Sequence, residues 1–159
     1  MRVIGIDPGI TGALAVLDGG LALFDLPVTK GEINGYALCE ELRLAEEIDH
    51  IDGVFLEETH AMPKTGSQGN YSQGFTKGAI VTAVRVAGLP LHRVAPSTWK
   101  TAMGLRGKQK DASRHLAAEL WPQSEFKLVK HHNRAEAALI ARYGLYHVLA
   151  HTQLREAES

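Results

Sequence analysis

The chain reads as an α/β protein with a mixed central sheet: three antiparallel N-terminal strands plus two further strands, flanked by helices on both faces. Three features of the 159-residue sequence predict this. Short β-rich runs separated by turn residues open the chain, and the hydrophobic period then changes from two to helical near Tyr36. Beyond that point strand-like and helical segments alternate, an order that suits a sheet covered on both sides.

The first strands are expected at "RVIGID" (2–7), "GALAVLD" (12–18) and "LALFDLP" (21–27), divided by "PGIT" and "GG". The Gly-Gly turn argues for a hairpin, so these runs form an antiparallel meander. From Tyr36 to Ile48, Leu38, Leu42, Ala45 and Ile48 recur at helical spacing with acids between them, predicting an amphipathic helix whose apolar stripe includes all four. "DGVFLEE" (52–58) is a short apolar run ending in two glutamates, as in a buried central strand opening into a site. "AMPKTGSQGNYSQG" (61–74), rich in Gly and Ser, reads as a mobile loop. A helix follows over "FTKGAIVTAVRVAG", closed by Gly88, then a strand over "PLHRVAP". Three helices complete the order: "PSTWKTAMGL" with Ser97 or Thr98 near its cap, "KDASRHLAAELWP" ended by Pro122, and a long final one over "HHNRAEAALIARYGLYHVLAHT".

With 45% hydrophobic residues, residues 1–159 are expected to form a single domain with one core. The net charge of -1 gives no global basic field, so a polyanionic partner would need lysines and arginines gathered on one face, or a metal. The lone Cys39, at an expected buried position, excludes a disulfide framework and a paired-cysteine zinc site, and fits a cytoplasmic setting. No run is long and apolar enough for export or membrane insertion.

Three acids carry the chemistry. Asp7 stands where the first strand gives way to a Pro-Gly turn; as a bland turn acid it would cap local N–H groups, and as a site residue it would point out of the sheet's end. Only one of Glu57 and Glu58 can share its face, because strand neighbours alternate, and the residues alone leave that choice open. Glu136 lies among Ala135, Ala137 and Ala138, small enough to bring a helix close to a sheet. Helical spacing sets His132 four residues before it and Asn133 three before, both on its face, with His131 further round. Carboxylates converging from strands and a helix make an oxygen-rich site for Mg²⁺ or Mn²⁺. Two such ions roughly 3.5–4 Å apart can activate water and stabilise the departing oxygen of a phosphodiester.

"GIDPGITGALAVLD", "FLEETHAMP", "PSTWKTAMGLRGKQKDASRHLAAELWP" and "HNRAEAALIARYG" together resemble the RuvC-like Holliday junction resolvases of the RNase H-like superfamily, in their phage and bacterial form. The resemblance runs from about Arg2 to Tyr143. It implies an RNase H-like nuclease domain, a homodimer, and metal-dependent paired nicking of four-way DNA junctions that leaves 5′-phosphates. It selects Glu57 over Glu58, and matches Asp7 and Glu136 to the first and last acids of the set. By the same resemblance Asp7 bridges two ions, Glu57 and Glu136 hold one each, and Lys100 and Lys110 contact the scissile strand or assist catalysis. Arg106, Lys108 and Arg114 form an adjoining phosphate-binding surface. His60 takes the place of an aromatic wedge into the junction, with Tyr71 and Phe75 as alternatives; Phe75 reads equally well as core. The helix containing Gly78 is expected to pack across the twofold axis.

The sequence departs from the family at the fourth carboxylate. Asn133 stands where bacterial members carry Asp or His, and His131 where many phage members carry Asp. His132 is the expected replacement, then His131, then Asn133, and a nitrogen ligand would move preference from Mg²⁺ toward Mn²⁺. The competing expectations are a related nuclease for other branched DNA or RNA, and a junction-binding protein that has lost its chemistry. "DPGITG" also matches the phosphate motif of the sugar-kinase and actin-like ATPases, but with no second phosphate motif no nucleotide cofactor is expected.

Overall fold

The computed structural model describes residues 1–58 and 66–157. A five-stranded sheet runs in the order β3-β2-β1-β6-β7. Its strands are β1 (Val3–Asp7), β2 (Ala13–Leu17), β3 (Leu21–Asp25), β6 (Gly53–Glu57) and β7 (Leu91–Val94). β1, β2 and β3 pair antiparallel as the meander predicts, while β6 runs parallel to both β1 and β7. The helices are α1 (Gly35–Ile48), α2 (Gly66–Val86), α3 (Pro96–Ala102), α4 (Ala112–Leu120) and α5 (His132–Ala157).

The pleat sorts the core into two layers. Ile4, Ile6, Leu14, Val16, Val54 and Leu56 point to the face shared with α1 and α2. Val3, Ala13, Ala15, Leu17 and Phe55 point to the other, under α5. That second face is built for close approach: Ala135, Ala137, Ala138 and Ala141 are fully buried, and a Cβ on Gly5 would overlap the α5 backbone at Ala137 and Ala141. On α1 the Asn34 side chain accepts from the Ala37 N–H, satisfying one unpaired donor of the first turn.

Four expectations are corrected. The Gly/Ser-rich stretch from Gly66 to Gly74 is the first half of α2, not a loop. Its glycines weaken helix propensity, but the continuous helix carries the buried Thr76, Ile80, Val81, Ala83 and Val84 stripe at its C-terminal half, and propagation outweighs that local cost. Neither Ser97 nor Thr98 caps α3: Ala95 does, without a side-chain bond, and Pro96 opens the helix with φ already set. Ile48, expected on the apolar stripe, is 79% exposed. A further hairpin, β4 (Val28–Thr29) and β5 (Glu32–Ile33), was not expected; Lys30 and Gly31 make its turn with φ of 53° and 81°.

Candidate active site

The site grows from two neighbouring strand ends. Ile6 of β1 lies opposite Leu56 of β6, so Asp7 and Glu57, one residue further along parallel strands, finish side by side. Alternation puts both on the face of Val3, Gly5 and Phe55, which is the α5 face. Glu58 turns the other way, where it pairs with Lys77 of α2 and approaches Arg93 at 3.8 Å. From above, α5 delivers Glu136 from its second turn. Asp7, Glu57 and Glu136 are all buried, at 7–8% exposure, which carboxylates without a role seldom are.

Burial together with the charges of Glu136 and Glu57 pushes the Asp7 carboxyl up to about 8, with Lys100 and Lys110 only partly opposing. Burial also raises Glu57, against the hydrogen bond it accepts from Trp99. The Trp99 indole N–H donates to Glu57 Oε2 at 2.7 Å. Glu136 Oε1 faces Lys100 Nζ at 3.0 Å, accepts from Ser113 Oγ at 3.1 Å, and lies 3.5 Å from His132 Nε2. A cavity of about 420 Å³ opens beside them, lined by Lys100, Lys108, Lys110, Ser113, His132 and Glu136.

His132 is therefore brought to the acids, and its buried Nδ1 has no partner among the described residues. His131 is buried elsewhere, on the side of Asp25 of β3. Asn133 is taken up by the β1–β2 turn, donating from Nδ2 to the Thr11 carbonyl at 2.6 Å and to Thr11 Oγ1 at 3.0 Å. Among the described residues no three His, Cys, Asp or Glu side chains form a ready-made metal cage.

The basic residues divide. Lys110, Arg106 and Lys108 are exposed on the segment between α3 and α4, and the two lysines border the cavity. Arg114 instead braces the chain after α4: its guanidinium donates to the carbonyls of Phe126 (3.2 Å) and Lys127 (2.9 Å). Tyr71 and Phe75 stand exposed on α2, at 74% and 47%, so Phe75 is not core. His60 lies outside the described residues. Sequence reasoning missed Trp99 and Ser113. Trp99 sits inside "PSTWK", one residue before a singled-out lysine; for Ser113 no local signal existed.

A mixed sheet of this order, with carboxylates gathered at the ends of its two central strands and under the C-terminal helix, defines an RNase H-like fold. No protein-family model matches the chain. It is 36% identical over 118 residues to the crossover junction endodeoxyribonuclease RuvC of Frankia casuarinae, covering 68% of each chain. To the RuvC of Corynebacterium glutamicum it is 29% identical over 117 residues, 68% of this chain and 53% of that one. The chain thus spans about half the length of the Corynebacterium relatives. Among solved structures, Thermus thermophilus RuvC in complex with Holliday junction substrate matches with a TM-score of 0.61 at 19% identity, over 89% of this chain and 90% of that one. The chain belongs to the RuvC family. No described helix is long and apolar enough to cross a membrane.

Proposed function

We propose that residues 1–159 are one nuclease domain that resolves four-way DNA junctions by metal-dependent hydrolysis of paired phosphodiesters. The observation that carries this reading is the convergence of three buried carboxylates beside a lysine-bordered cavity in a chain of the RuvC family. The donor chemistry fits a hard divalent cation: oxygen ligands, neighbouring acids that push the Asp7 and Glu57 carboxyls up, and a half-buried His132 beside Glu136. Magnesium on phosphate substrates is usually held by one or two carboxylates together with substrate oxygens, so an open set of acids is the expected arrangement. Asp7, Glu57 and Glu136 would hold it, with His132 completing the set through Nε2 and moving preference toward Mn²⁺. When bound, such an ion supplies an activated water and neutralises charge on the phosphoryl group.

The chain's own residues do the rest. Lys100 and Lys110 draw the scissile phosphate toward the acids, and Arg106 and Lys108 hold the backbone beside it. Tyr71 and Phe75 offer rings on which unpaired bases at a junction centre stack. A twofold partner would bring a second site to the opposite strand. The α2 stripe of Tyr71, Gly74, Phe75, Gly78 and Thr82 supports that reading: all five are exposed, and Gly74 and Gly78 have open space where a Cβ would stand. The lone buried Cys39 suits a reducing cytoplasm.

The test is cleavage of a synthetic four-way junction and a matched linear duplex with Mg²⁺, Mn²⁺ or chelator. Symmetric nicks in the junction alone, lost with chelator, in Asp7→Asn and in His132→Ala, are expected. A junction bound but uncut under either ion would reclassify the chain as a junction-binding protein.

A further inference from the structure

Trp99 is wholly buried, and its place beside the acids follows from strand register. Val94 of β7 lies opposite Glu57, Ala95 caps the helix that follows, and the first turn of α3 lifts Trp99 over the end of β6. Its N–H edge then faces an acid and its ring face a lysine. The indole N–H donates to Glu57 Oε2 at 2.7 Å, while Lys100 Nζ, 4.9 Å from the ring centroid, spans from the ring to Glu136.

A core position at this site could be filled by Phe, Leu or Met, none of which donates a hydrogen bond. A tryptophan here does something they cannot. Glutamate has three rotatable side-chain bonds, and a donor fixed in a packed core restrains the carboxylate through one oxygen. The bond engages Oε2 and leaves Oε1 as the other oxygen of the fixed carboxylate.

We propose that Trp99 is a positioning residue: its N–H holds Glu57 so that Oε1 is presented, beside Asp7, to a divalent cation. The proposal rests on the reading of Asp7 and Glu57 as cation-holding carboxylates. Partners that orient a metal-binding side chain are worth roughly 10–100-fold in metal affinity.

Mg²⁺ binding to the DNA-free protein, by calorimetry and by the ¹⁵N-indole resonances of its two tryptophans, tests this. Three substitutions are compared: Trp99→Phe, Glu57→Gln, and Trp99 replaced by 3-benzothienylalanine, whose ring keeps its shape but carries sulfur in place of the N–H. The Trp99 resonance is expected to move saturably with Mg²⁺ while that of Trp121 stays still. Mg²⁺ affinity should fall roughly 10–100-fold in both Trp99 variants, and adding either Trp99 change to Glu57→Gln should cause no further loss. If the benzothienyl protein binds Mg²⁺ like the unaltered chain while Glu57→Gln does not, Trp99 only fills the core and the proposal is wrong. If Glu57→Gln itself binds Mg²⁺ undiminished, the reading of Glu57 fails and this proposal falls with it.

Discussion

At the scale of single residues, Asp7 dominates. Its carboxyl, raised from 3.8 to about 8, keeps a proton in the fold that the unfolded chain gives up at mildly acid pH. Between those values the native state binds more protons than the unfolded one, so stability from this group is complete below about pH 4 and is lost as pH rises through 8. In chelator, the melting temperature is therefore expected to fall from pH 5 to 8.5, and Asp7→Asn should flatten that slope and melt higher at pH 8.5. The same proton must leave when a cation binds, so Mg²⁺ affinity measured by calorimetry should increase with pH up to about 8. An affinity independent of pH would remove Asp7 from the ligand set.

At the scale of elements, the contact of α5 with the sheet decides the site's geometry. Gly5 and the alanines of α5 let the helix sit against β1, and Glu136 reaches the strand ends only because of that approach. Gly5→Ala would push backbone against backbone; it is expected to cost about 1–3 kcal/mol or more in denaturant unfolding, and to weaken metal binding by displacing Glu136. The α2 stripe makes a separate prediction. Gly78→Arg fills the open space on its exposed face; if α2 forms the proposed twofold contact, sedimentation should show a dimer for the unaltered chain and a monomer for the variant, with little change in melting temperature. Much of the element order was legible, because period-two and helical patterns are local properties of the chain. The first half of α2 was not, since Gly69 and Gly74 read locally as loop residues and only continuity with the packed C-terminal half keeps them helical.

For the whole molecule, a net charge of -1 means that the proposed DNA binding depends on local charge. Lys100, Lys108 and Lys110 border one cavity beside Glu136, and Arg106 lies exposed on the segment that carries Lys108 and Lys110. Lys108→Gln and Lys110→Gln together should weaken junction binding at all sequences, and reduce the slope of log affinity against log salt by about 1 to 2. Arg114→Gln, whose guanidinium is occupied by backbone carbonyls, should instead lower stability and leave the salt slope unchanged.

The sequence by itself determined the five strands of the main sheet, most helices and the candidate acids, since each announces itself through local period or through a charge where apolar residues surround it. Helical spacing already set His132 beside Glu136, and the family resemblance favoured Glu57, but tertiary structure decided which groups from distant segments meet. Glu57 and Glu58 are equivalent in the chain until strand register turns one toward α5 and the other toward Lys77. His131, His132 and Asn133 are likewise adjacent, yet one is buried near Asp25, one stands by Glu136 and one is held by Thr11. The reason is physical: a helix rotates each successive side chain by about 100°, so three neighbours face three environments, and which environment each meets depends on packing that no local pattern records.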